Sequence, residues 1–243
     1  MRQFCVVLVG VQGPRNIGSI CRVMGNFGCR DLRLVKPETD HLCTEARHMA
    51  VKSADILEGA RIFASLEEAI GDCHFSFGST RRFGKYREQF FSPMAAADMV
   101  CRSPESSRVA FVFGREDNGL TTEELSICQH FLTIDTDPSL PSMNIAQAAA
   151  VCLYEMFSRE RQHDGEGTRQ EDPLSAPVRL QEEMLQHMKR AMLCIDYLNP
   201  QNPEHIFLTY RRIFGRAGLN ERELRILHGL WARVEYIAAK SDG

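Results

Sequence analysis

The chain has 243 residues, 44% hydrophobic and 25% charged, with a formal net charge of −3 at neutral pH. That length holds one large domain, or an ordinary domain plus an appendage, and the balance is that of a soluble globular protein. Nine cysteines occur without any CxxC pair, which argues against a disulfide framework and a cysteine-rich zinc site, and for a reducing cytoplasm.

In chain order, short apolar runs predict strands at Phe4–Val9, Leu32–Val35, Arg61–Ala64, His74–Gly78, Val109–Phe113 and Phe131–Ile134. The first is too short to span a membrane and runs into a turn, so it reads as a buried strand and not as a signal peptide. Several runs lack alternation, as strands covered on both faces do. Between them, Ser65 with Glu68 and Thr121 with Glu124 fit capping boxes. Strands alternating with helices predict a mostly parallel α/β sheet. A long alanine-rich helix is expected from Asn144 to about Arg161, then an exposed polar linker up to Pro177. The division predicted is a domain over 1–160, a linker over 161–176 and a small all-helical extension over 177–243. The extension has helices near Pro177–Leu198, Pro203–Gly215 and Glu221–Ala239. The last is capped by Asn220 and Glu223, with Leu224, Leu227, Trp231, Val234 and Ala238 on a buried face.

Although the net charge does not advertise a nucleic-acid binder, cations cluster locally. Arg81, Arg82, Lys85 and Arg87 lie in seven residues with Phe83 and Tyr86 between them, and Tyr210, Arg211, Arg212 and Arg216 form a second cluster. Either cluster alone reads equally well as solvated surface.

In a parallel sheet the chemistry belongs in the loops at the carboxyl ends of strands. The loop Gly10–Ser19 lacks the lysine of a phosphate-binding Walker loop and the glycine spacing of a dinucleotide site. It leaves Asn16 near a helix start, with Arg22 either on an outer helix face or aimed into a site. The second loop puts Arg115 and Glu116 directly after a buried strand, where the turn residues Asn118 and Gly119 have an ordinary explanation and the charged pair does not. The third, Leu140–Ala146, offers Ser142 or Asn144 as a helix cap.

Taken together, the three loops are specific. Pro14, Asn16, Gly18, Arg22 and Gly28, then Gly114, Glu116, Gly119 and Leu120, then Ser142 and Asn144 before an alanine-rich helix resemble the ordered motifs of the SPOUT methyltransferases. The resemblance spans about Phe4–Met156 and is to the branch that methylates ribose 2′-hydroxyls in tRNA or rRNA. It implies an S-adenosylmethionine-dependent enzyme with a trefoil knot at the end of the α/β domain. It implies a tRNA substrate, with cytidine or uridine at anticodon-loop position 32 as target. The alternatives are an rRNA-modifying enzyme and a non-catalytic RNA-binding relative. The cofactor would lie on Gly78, Ser79, Thr80, Arg81, Gly114, Ile134, Pro141, Ser142 and Met143. The Ser79–Thr80 order and Met143, where leucine is commoner, depart slightly from the family pattern.

The resemblance also implies a homodimer, in which Asn16 and Arg22 act across the interface. Arg22, Asn16, Glu116, Ser142 and Asn144 are the expected catalytic set. Arg22 would steady developing alkoxide and grip phosphate, because a guanidinium is a poor base. Ser142 or a water would relay the proton, while Glu116 orders the loops or Asn16. RNA would meet Arg22, Arg81, Arg82, Lys85, Arg87, Arg115, Arg211 and Arg212, and no metal is expected.

Overall fold

A computed structural model describes residues 3–81, 90–163, 174–199 and 204–241. Seven strands form one sheet: β1 (Gln3–Val9), β2 (Asp31–Val35), β3 (Arg61–Phe63), β4 (Phe75–Ser79), β5 (Phe90–Phe91), β6 (Arg108–Phe113) and β7 (His130–Leu132). Their order is β3-β2-β1-β6-β4-β7-β5 and every pairing is parallel. The unbroken apolar run of β1 follows from this position. Val6 and Leu8 face one core cluster, while Cys5, Val7 and Val9 face the other. A strand sandwiched in this way has no solvent face for polar residues to occupy.

Helices α1 (Pro14–Asn26), α2 (Thr44–Ala50), α3 (Ala54–Glu58), α4 (Leu66–Ile70), α5 (Pro93–Arg102), α6 (Thr122–Ile127) and α7 (Ile145–His163) fill the connections. Ile17, Ile20 and Met24 of α1, Ala96 and Val100 of α5, and Ala149 and Cys152 of α7 pack on the first face. Leu66 and Ile70 of α4, with Leu125 and Ile127 of α6, cover the second. Gly18 lets α1 approach α2 closely, since a Cβ there would lie 2.1 Å from the carbonyl oxygen of Ala46. Ser65 and Thr121 cap α4 and α6 as expected, and Thr121 with Glu124 closes the full capping box.

β5 is absent from the predicted strands. Two residues carry no periodicity, and Phe90–Phe91 becomes a strand only because β7 offers an edge: the Thr133 N–H donates to Phe91 O at 3.0 Å. β7 therefore lies between two strands that precede it in the chain. The connection through which a knot would thread includes residues 82–89, outside the described residues.

α8 (Val178–Cys194), α9 (Glu204–Ala217) and α10 (Glu221–Ser241) build a separate apolar cluster around Met184, Met188, Phe207 and Leu224. Asn220 and Glu223 cap α10 reciprocally, at 3.1 and 2.9 Å. On α10 only Leu224 of the expected apolar face is buried, while Leu227, Trp231, Val234 and Ala238 are half-exposed. Of the expected linker, residues 164–173 lie outside the described residues. At its end Ser175 and Ala176 are buried, and the segment is pinned there by its main chain. The Ala176 N–H donates to Leu219 O at 2.7 Å, Val178 N–H to Cys73 O at 2.8 Å, and Arg179 N–H to Gly71 O at 3.1 Å. Side-chain polarity did not reveal this, because the bonds are made by backbone groups.

His130 of β7 is 4% exposed, stacked among Phe77, Phe91 and Phe75. Its Nδ1 has no hydrogen-bond partner among the described residues. Burial pushes its pKa down to about 4, so the folded state keeps the imidazole neutral where the unfolded chain protonates it. Stability then falls as pH drops from about 6.5 to about 4, by up to ~3 kcal/mol. His130→Leu removes this penalty. Urea unfolding at pH 7 and pH 5 is expected to show a pH-dependent loss smaller by about 2 kcal/mol in the variant; an unchanged difference would refute the assignment.

Candidate active site

β1, β6, β4 and β7 are consecutive in the sheet, so the loops at their carboxyl ends meet. They enclose a cavity of about 420 Å³ lined by residues of all four loops, from Asn16 and Ser79–Arg81 through Phe113–Leu120 to Thr133, Ile134 and Pro141–Ile145. Of the expected cofactor and catalytic residues, Asn16, Ser79, Thr80, Arg81, Gly114, Glu116, Ile134, Pro141, Ser142, Met143 and Asn144 come together here. Gly78 packs behind the lining, where a Cβ would meet Cys128 Sγ at 3.0 Å.

The loop after β6 is a tight hairpin. Arg115 and Gly119 exchange two backbone hydrogen bonds, of 3.2 and 2.9 Å. Gly119 has φ +68°, and a Cβ on Gly114 would lie 2.1 Å from the backbone of Gly119. These two glycines are therefore required by the turn. The hairpin holds the Glu116 carboxylate over the start of α1. Its Oε1 accepts from Gly13 N–H and from Asn16 Nδ2, both at 2.9 Å, and its Oε2 accepts from Gln12 N–H at 3.0 Å. Asn16 Oδ1 accepts from Asn144 Nδ2 at 3.0 Å, and Asn144 Oδ1 accepts from Ala146 N–H at 2.8 Å in the first turn of α7. The chain of bonds has one polarity throughout, running from the amide of α7 to the carboxylate. Partial burial works to raise the Glu116 pKa, but the bonds from Asn16, Gln12 and Gly13 outweigh it and hold the carboxyl below its ordinary value. At neutral pH Glu116 is an anion with its donors in place, suited to holding Asn16 and unsuited to taking up a proton.

Asn16 thus lines the pocket of its own chain. Its helix begins directly after β1, beside β6, so its first turn overlies the loop after β6. Arg22 lies six residues on, exposed on the helix face with Arg15 and Asn26, and is not among the residues that line this pocket. Two arginines expected at RNA are instead satisfied within the fold. Arg115 pairs with Glu124 at 3.1 Å, and Arg211 forks onto Glu182, with Nη2 at 2.8 Å. Arg212 is half-buried and Arg216 exposed, both on α9, while Arg82, Lys85 and Arg87 lie outside the described residues. Among the described residues no three His, Cys, Asp or Glu side chains gather as a metal site, and no helix is long and apolar enough to cross a membrane. Sequence reasoning missed Gln12 and Gly13, which act through main-chain N–H groups that no side-chain pattern reports. It also missed Glu38, which joins the site by tertiary contact.

Residues 3–154 match the model of the SpoU rRNA methylase family. The chain belongs to this family. Residues 181–243 match the model described as the C-terminal domain of the tRNA methyltransferase TrmJ. Among relatives of this SpoU-family chain, the tRNA (cytidine/uridine/adenosine-2′-O-)-methyltransferase TrmJ of Pseudomonas aeruginosa is 34% identical over 244 residues, covering 96% of this chain and 94% of the relative. The tRNA (cytidine/uridine-2′-O-)-methyltransferase TrmJ of Escherichia coli is 30% identical over 234 residues, covering 95% and 94%. The crystal structure of TrmJ from Z. mobilis superposes with a TM-score of 0.81 at 28% identity, covering 97% of this chain and 99% of the other.

The network separates two roles of Asn144. Asn144→Ala removes both the α7 cap and the bond to Asn16, with an expected stability loss of about 1 kcal/mol. Asn144→Ser keeps a capping oxygen but loses the donor to Asn16. It should unfold in urea like the wild type yet lose activity; full activity in Asn144→Ser would show that the bond to Asn16 is dispensable.

Proposed function

We propose that this protein transfers a methyl group from S-adenosylmethionine to a ribose 2′-oxygen of tRNA. The target is cytidine or uridine at position 32 of the anticodon loop, and the enzyme acts as a cytoplasmic homodimer. The observation that carries the reading is the fixed chain from Glu116 through Asn16 to Asn144 at the edge of a cavity walled by main-chain loops. Relatives that align over nearly the whole chain, the helical extension included, favour tRNA over rRNA as substrate.

The cavity suits the cofactor. Its size is within the range of small-molecule sites, and Ser79–Arg81, Gly114 and Ile134 line it. When bound, S-adenosylmethionine supplies an electrophilic methyl group. The protein's part is positioning. Ser79, Thr80, Arg81, Ile134, Pro141 and Met143 hold the cofactor, while Glu116 and Asn144 fix the Asn16 amide. The Ser142 hydroxyl, exposed on the lining, or a water in its place relays the proton of the 2′-hydroxyl to solvent, releasing its own proton as it accepts that one.

Arg22 serves the pocket of the second copy. It is exposed on α1 and is not among the residues that line its own pocket, and a two-fold contact through α1 presents it to the neighbour. There its fork stabilises the developing alkoxide and holds the adjacent phosphate. Arg22→Lys keeps the charge and loses the fork, so a near-normal single-turnover rate would contradict this role. Mixing Arg22→Ala chains with Glu116→Ala chains, each inactive alone, should restore about a quarter of wild-type activity, because half of the random dimers regain one intact site. No recovery would place Arg22 in its own chain's site.

Affinity for tRNA should fall steeply with salt, as phosphate contacts require. Mapping 2′-O-methylated nucleotides in tRNA and rRNA from cells lacking the protein identifies the target; loss of a methyl mark confined to rRNA would overturn the substrate assignment.

A further inference from the structure

Arg115 touches three loops. Its Nη1 donates to both carboxylate oxygens of Glu124, at 3.1 Å each, in the loop and helix that follow β6. Its Nε lies 3.8 Å from Glu38 in the loop after β2. Its guanidinium covers Gly10 in the loop after β1, where a Cβ would stand 2.7 Å from Nε. Glu38 in turn accepts from the Gln12 side chain at 3.2 Å, and the Gln12 N–H is one of the donors to Glu116. A closed circuit results: Arg115, Glu38, Gln12 and Glu116, with Glu116 joined back to Arg115 by a peptide bond. Glu124 holds the circuit from outside, because its Oε2 also accepts from Thr121 N–H at 2.8 Å in the cap of α6.

Arg115 is poorly placed to receive RNA. Its side chain is 26% exposed, and a phosphate arriving there would meet two carboxylates, Glu38 and Glu124, around one guanidinium. The same surroundings suit a brace. A planar fork can engage carboxylates on two sides while lying flat on a glycine, which a lysine ammonium cannot do.

We infer that Arg115 is a positioning residue, bracing the loop after β1 against the hairpin after β6 so that Glu116 meets Gln12, Gly13 and Asn16 at bonding distance, with Glu38 and Glu124 acting on the site through it. The inference rests on the proposed methyl transfer for its kinetic readout, and on the Glu116 carboxylate alone for a second one.

The test compares Arg115→Lys and Glu124→Gln with the wild type in the full chain. Glu124→Gln retains one acceptor oxygen for the α6 cap and loses the charge and one of the two acceptors that hold Arg115. Each variant is expected to lower kcat by about 10- to 100-fold, as a small misplacement of an active site does. The KM for tRNA and the slope of log affinity against log salt should stay at wild-type values. The double variant should be no slower than the slower single one, as for residues acting in one unit. In parallel, carbon-13 NMR of the Glu116 carboxyl should show its depressed pKa moving up toward the ordinary range in both variants. A salt slope reduced by about 0.7 to 0.9 with kcat retained would make Arg115 a phosphate contact. Wild-type kcat and an unmoved Glu116 titration in Glu124→Gln would overturn the brace. If Arg115→Lys is unfolded by circular dichroism, Glu38→Gln carries the same expectations from an exposed position. If the wild type itself methylates no RNA, the functional reading falls, and the Glu116 titration still decides the brace.

Discussion

The start of α1 lacks what a helix start ordinarily has. Gly13 offers no capping side chain, and no acidic residue stands in the first turn. The missing negative group comes from a hundred residues away, in the carboxylate of Glu116, which accepts from Gln12, Gly13 and Asn16. Charge-assisted bonds of this kind contribute roughly 1.5–3 kcal/mol each, and the positive end of the helix adds to them. This remote cap sets the height of α1 over the sheet. It also fixes the Asn16 amide and, through Asn144, the start of α7. Loops after β1, β6 and β7 are thereby locked together, and the cavity exists because they are.

The sheet was legible in the sequence because burial on both faces leaves an unmistakable mark. Runs such as those of β1 and β6 have no polar position to confuse the reading. Strand order leaves no such mark, since parallel neighbours are chosen by packing and not by local sequence. The insertion of β7 between β4 and β5 was therefore invisible, and β5 with it. Caps were legible at Ser65, Thr121 and Asn220, where the partner lies three residues away. They were not legible at α1, where the partner is Glu116.

The candidate site divides along the same line. Residues whose side chains line the cavity stood out, because charged or amide side chains at strand ends need a reason to be there. Cations were harder to read. Arg211 stands in a cluster that suggests nucleic acid and Arg115 at the end of a buried strand, yet each is matched by a carboxylate brought from elsewhere, Glu182 and Glu124. A run of basic residues records charge along the chain, whereas an RNA surface requires charge left over once the fold has made its own pairs. Arg22 illustrates the opposite case, being surrounded by apolar neighbours in the sequence and exposed in the structure.

The attachment of the helical extension has a different kind of consequence. It hangs on the N–H groups of Val178 and Arg179, which donate to the carbonyls of Cys73 and Gly71, while the Ala176 N–H donates to Leu219 O within the helical part. Main-chain atoms are the same whatever residue carries them, so these bonds do not depend on side-chain identity, apart from Val178, whose side chain is buried in the sheet's second apolar cluster. The extension can then drift in sequence, and in what its surface prefers, without drawing compensating changes from the loops that hold the reaction. A lineage could in this way exchange one RNA for another while inheriting its chemistry unaltered.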